Sequence, residues 1–91
     1  MKSIDIHTHA FPDKLAERAI EALESDCPWK AIADGTIGSL LASMDAAEVQ
    51  ASAICSIATK AEQAEPILKW SEKIRSDRII PLPSVHPTTP D

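Results

Sequence analysis

The stretch Ile4-Asp5-Ile6-His7-Thr8-His9 decides how this chain is to be read. Alternate residues of a strand point to the same face, so His7 and His9 project together while Ile4, Ile6 and Thr8 take the other side. Two imidazoles can then converge on one cation. Neutral imidazole suits zinc, nickel, copper or iron, and a His pair leaves coordination positions for further ligands and water, as a catalytic site requires. Asp5 shares that face one step earlier, where a carboxylate can orient a ligand or bond a neighbouring strand. The plain alternative is that two histidines fall at this spacing by accident on an exposed strand end. A motif this short takes its meaning from what surrounds it.

Beyond the pair, Ala10-Phe11 leads to Pro12, suited to the first turn of a helix because its missing N–H has no partner there anyway. Asp13 adds negative charge at the positive end of that helix. Leu15, Ala16, Ala19, Ile20 and Leu23 then form an apolar stripe opposite Glu17, Arg18, Glu21 and Glu24, which predicts a helix over 12–25. Asp26-Cys27-Pro28-Trp29-Lys30 breaks the period. Trp29 is a candidate for lining a substrate pocket, although packing under the loop is the commoner role of a lone Trp. Asp34-Gly35 marks a turn and Thr36 is a good N-cap for a second helix, whose apolar face is Ile37, Leu40, Leu41, Met44 and Ala47.

Residues 51–57, small and apolar with interleaved serines, predict a second strand, with Thr59 in the loop after it as a helix-initiating hydroxyl. A third helix is expected over 61–76, with Pro66 limiting its first turn and Trp70 more at home in the core than against a cofactor. Residues 79–85 predict a third strand. Pro81 and Pro83 are two apart, so their absent N–H groups fall on one side of it. Strands separated by helices imply crossover connections and a parallel sheet, hence an α/β fold. An open doubly wound sheet is the structural alternative, but no Gly-x-Gly-x-x-Gly turn follows the first strand, which removes the usual nucleotide-binding reading.

Asp-x-His-x-His on the first strand, followed at once by Phe11-Pro12 and a helix, resembles the amidohydrolase-related branch of the amidohydrolase superfamily. The resemblance continues through Met44-Asp45 to Ser84-Val85-His86-Pro87. It implies a metal-dependent hydrolase on a (β/α)₈ TIM barrel, using metal-activated water on a small carbonyl-containing substrate. His7 and His9 would be the first two ligands of a divalent metal, zinc above others, with Asp5 as the orienting carboxylate behind them. The remaining ligands and the general base would come from later strands, and Trp29 and His86 are candidates for substrate contact. His86 ends the third strand and is expected to touch substrate or anchor its loop rather than bind the metal. Decarboxylases of the same branch share the His pair, so a carbon–carbon lyase is the alternative reaction. Members commonly carry Gly where Glu48 stands, to end the helix in a left-handed residue. The polymerase and histidinol phosphatase phosphoesterases also open with paired histidines on a strand, but their usual Ser-Asp-rich loop fits Ala10-Phe11-Pro12 less well.

Length qualifies this reading. A complete barrel takes about 250 residues. At 91 residues, this chain is expected to be the N-terminal part of one barrel domain, its first three βα units, and to be inactive alone. If the 91 residues were the whole product, they would be a non-catalytic metal-binding fragment. Composition is that of an ordinary globular protein, 44% hydrophobic and 25% charged. A net charge of −5 with nine Lys and Arg among fourteen acids offers no footprint for nucleic acid or an anionic membrane. No signal peptide or membrane span is visible, and Cys27 and Cys55 lack metal or redox spacing, so a reducing cytoplasmic setting is expected. The expected partner is a small-molecule substrate, with self-association into a homo-oligomer through unpaired strand edges.

Overall fold

A parallel three-stranded sheet in the order β1-β2-β3 forms the centre of the molecule; the computed structural model describes residues 2–28 and 30–90. The strands are β1 (Ser3–Thr8), β2 (Val49–Cys55) and β3 (Ile79–Leu82). Helices α1 (Asp13–Ser25) and α2 (Ile37–Ala47) both lie between β1 and β2, and α3 (Ala64–Ile74) joins β2 to β3. The expected α/β class and sequential parallel pairing are therefore present.

The element ends follow from identifiable residues. Thr36 caps α2, its hydroxyl accepting from the Ser39 amide at 3.1 Å. At the other end Glu48 takes the left-handed conformation, φ 58° and ψ 35°, although it carries a Cβ. That reversal sends the chain straight into β2, which starts at Val49 rather than at 51. The third helix also starts later than expected. A single 3₁₀ turn, Ala61–Gln63, precedes it, and there the Gln63 side chain accepts from the amides of Thr59 (2.6 Å) and Lys60 (3.2 Å) and from the Thr59 hydroxyl. Thr59 donates to the cap instead of providing it.

β3 is shorter than 79–85 because it stops at Leu82, just before Pro83. The carbonyls of Arg78 and Leu82 accept from the amides of Ser52 in β2 and of Ser56 just after it, at 2.8 and 3.3 Å. N–H and C=O of one strand residue point to the same side and the sides alternate, so Ile79 and Pro81 turn away from β2 while Ile80 faces it. The prolines thus direct their missing N–H groups to the open edge, as expected of an edge strand.

The core joins Ala10, Met44, Ile54 and Ile79, with Leu40, Leu41, Trp70 and Ile74 packed against it. Helix α2 covers β2 and α3 covers β3. Helix α1 does neither, and of its stripe only Ala16 is buried. Leu15 and Leu23 remain 50% and 43% exposed, because α2, nearer in sequence to β2, occupies the sheet face that a single crossover helix would take. What fixes α1 is the returning loop. Gly35, at φ 81°, accepts from the Phe11 amide at 2.8 Å, and a Cβ there would stand 2.7 Å from the Ile20 side chain. Among the described residues no helix is long and apolar enough to cross a membrane.

Candidate metal centre

At its C-terminal end β1 is fastened to β2 by two side chains that reach main-chain carbonyls. The Thr8 hydroxyl donates to Ala53 O at 2.7 Å, and His9 Nδ1 lies 2.8 Å from Cys55 O. Between these strands the register runs Asp5↔Ser52 and then Thr8↔Ile54, three steps in β1 against two in β2. An inserted residue of this kind bends the strand and re-aims its side chains. Here it falls at Ile6-His7.

The two imidazoles meet. Their Nε2 atoms are 3.2 Å apart, with ring centroids separated by 5.0 Å and planes at 76°. Two nitrogens each about 2.0–2.1 Å from a tetrahedral zinc would stand roughly 3.3–3.4 Å apart, so the pair needs almost no rearrangement to share one ion. The same distance also suits a hydrogen bond between the rings. What goes beyond chance spacing is the Cys55 carbonyl. Metal-bound histidines usually donate their second ring N–H to such an acceptor, which fixes ring orientation and tautomer.

The other candidate residues fall out differently. Asp5 does not orient a ring: its Oδ1 accepts from the main-chain amide of His7 at 3.1 Å. Its carboxylate is used by the bent strand itself. His86 serves as a loop anchor in the turn after β3, where Nδ1 accepts from the Thr88 hydroxyl at 2.9 Å and from the Thr88 amide at 3.3 Å. It shares no bond with the pair. Trp29 lies outside the described residues.

The pair lies at the surface of the molecule, with both rings exposed. A groove of about 270 Å³ runs between α1 and α3 and is walled by Phe11, Leu15, Leu23, Ile57, Ile67 and Trp70. Neither histidine lines it, because Ala10, which does, points into the core side of the sheet. Among the described residues no group of three or more His, Cys, Asp or Glu side chains is placed to hold a metal. The candidate centre is therefore a two-histidine pair, open to water, at the C-terminal end of a parallel strand.

No protein-family model, no curated protein and no solved structure matches this chain.

Proposed function

We propose that His7 and His9 are two ligands of a divalent metal in a metal-dependent hydrolase of amidohydrolase type, and that the α/β unit is the first three βα units of a (β/α)₈ barrel. The observation that carries this reading is the convergence of the two Nε2 atoms at 3.2 Å while His9 Nδ1 is held on Cys55 O. All-nitrogen donors favour zinc over magnesium or calcium, which prefer oxygen. Such an ion supplies polarisation of a substrate carbonyl and a lowered pKa for water. The chain's own residues hold and orient: the Thr8 hydroxyl on Ala53 O and the Cys55 carbonyl on His9 Nδ1 fix the strand end that carries the pair.

The substrate in this reading is a small carbonyl-containing molecule, and the remaining ligands and the general base come from outside these 91 residues. A second reading, metal binding without turnover, is favoured by the two-ligand shell, since catalytic zinc sites use three protein ligands. Zinc titration of the chain by calorimetry, with assays on amides and lactones and on carboxylated unsaturated acids for the lyase alternative, tests the proposal. Weak zinc binding that disappears in His7→Ala, His9→Ala and the double variant is expected. Undiminished zinc binding by the double variant would remove the metal centre and the hydrolase with it.

A further inference from the structure

We propose that the two histidines are not equivalent: the Cys55 carbonyl sets His9 in the tautomer that can bind metal, whereas His7 has to exchange its ring proton from Nε2 to Nδ1 before the pair can hold an ion. The inference rests on the metal reading above, but its first half concerns the metal-free chain.

A backbone carbonyl can only accept, so at 2.8 Å from Cys55 O the Nδ1 of His9 is the protonated nitrogen. A neutral imidazole carries one N–H, which leaves His9 Nε2 with a bare lone pair. That lone pair faces His7 Nε2 at 3.2 Å. Two bare lone pairs at this distance repel, so His7 Nε2 carries a proton and donates it to His9. His7 Nδ1 is then the unprotonated nitrogen. Among the described residues nothing bonds His7 Nδ1, and the one nearby carboxylate, Asp5, is engaged with the His7 amide.

A metal-binding nitrogen must offer a lone pair. His9 already offers Nε2, and its ring is held in place by Cys55 and by the Thr8 bond beside it. His7 must release the Nε2 proton to water and take one from water at Nδ1, with no net change in charge. His7 is exposed, so water reaches both nitrogens. Cys55 thus acts as a positioning residue through its main chain, and His7 is the member that moves its proton.

Nitrogen-15 NMR of the ring-labelled chain in alkaline buffer distinguishes pyrrole-type from pyridine-type nitrogens. Without metal, His9 is expected to show pyrrole-type Nδ1 and pyridine-type Nε2, and His7 the reverse. On adding zinc the His7 pattern should invert while His9 keeps its tautomer. A metal-free His9 protonated at Nε2, or a His7 already protonated at Nδ1, overturns the inference even if zinc binds. Zinc that shifts both rings without inverting His7 overturns the exchange and leaves the metal centre standing. Zinc that changes neither ring removes the metal centre and the exchange together, while the metal-free spectrum still reports whether Cys55 sets His9.

Discussion

Arg78 Nη1 lies 2.6 Å from Asp45 Oδ1, and the same guanidinium donates through Nη2 to Val49 O at 3.1 Å and through Nε to Gln50 O at 3.3 Å. One side chain at the entrance to β3 therefore holds the end of α2 and the start of β2, at the end of the sheet away from the histidines. The ion pair alone is half exposed and contributes little. The two carbonyls add charge-assisted bonds of fixed fork geometry.

Arg78→Ala is accordingly expected to lower stability by about 1–2 kcal/mol. Arg78→Lys should recover little of it, because one ammonium cannot reach three acceptors in different directions. Chemical denaturation of the three proteins decides this. Equal midpoints for wild type and Arg78→Lys would show that charge alone matters.

Glu48 sits in the left-handed region with a Cβ, at a position where glycine has no steric penalty. Glu48→Gly should stabilise the chain by up to about 1 kcal/mol, offset in part by the freer unfolded glycine. For a domain of this size that is a rise in Tm of roughly 4–8 °C. Glu48→Val, branched at Cβ, should move Tm the other way. A Tm lowered by glycine would mean that Glu48 makes contacts worth more than its strain.

These two residues mark what the sequence makes legible. Pro and Gly punctuation, the apolar period of α2 and the two-residue alternation of β1 are local signals, and from them the three strands, their parallel order and the convergence of His7 and His9 could be read. Pairing register is not local. Nothing in Ile6-His7 announces that the β1–β2 register shifts there, or that Cys55 would present its carbonyl to His9. Main-chain groups leave no mark on side-chain pattern, and Arg78 looks like any surface arginine. The stripe on α1 was visible too, but periodicity says that a helix has an apolar face and not what covers it. Hence the stripe does not foretell that Leu15 and Leu23 stay half exposed while α2 packs on β2.

Asp34 carries the pH dependence of the α2 entrance. The Ser39 hydroxyl first, then the Thr36 amide and hydroxyl, hold its carboxyl below the usual carboxylate range. A group with a lowered folded pKa contributes stability that is fully present above its unfolded value, near 3.8, and lost as pH falls through the folded value. Asp34→Ala should therefore be less stable than wild type at neutral pH, with the gap narrowing below about pH 4. Urea midpoints measured from pH 7 downward check it. A gap of constant size would assign the effect to packing.

The open edges of β1 and β3 are lined by apolar residues, with Ile6 78%, Ile4 59%, Leu82 49% and Ile80 44% exposed. Unpaired strand edges with apolar side chains template further pairing. The chain should self-associate in a concentration-dependent way, and Ile6→Lys, which places a charge on the β1 edge, should reduce it. Sedimentation velocity over a concentration series gives the answer. A monomer at all concentrations, unchanged by Ile6→Lys, would show that these edges are inert.

The last prediction separates folding from metal chemistry. Trp70 packs against the Ala10–Met44–Ile54–Ile79 core and also walls the α1–α3 groove. It is only partly buried, so Trp70→Ala should cost about 2–3 kcal/mol, below the roughly 3–5 kcal/mol of a fully buried aromatic. Because the bonds that fix the histidines run between β1 and β2 and not through α3, zinc affinity of the folded fraction should stay unchanged. The exposed pair behaves oppositely: His7→Ala should leave the denaturation midpoint close to wild type while removing zinc-dependent stabilisation, which mass action otherwise adds in proportion to the logarithm of free zinc. Thermal unfolding of wild type, Trp70→Ala and His7→Ala, each with and without zinc, reads both effects. If Trp70→Ala abolished the zinc-induced rise in Tm under conditions where it is still folded, the metal would be bound through the groove side of the sheet and the His pair would be a strand-end contact only.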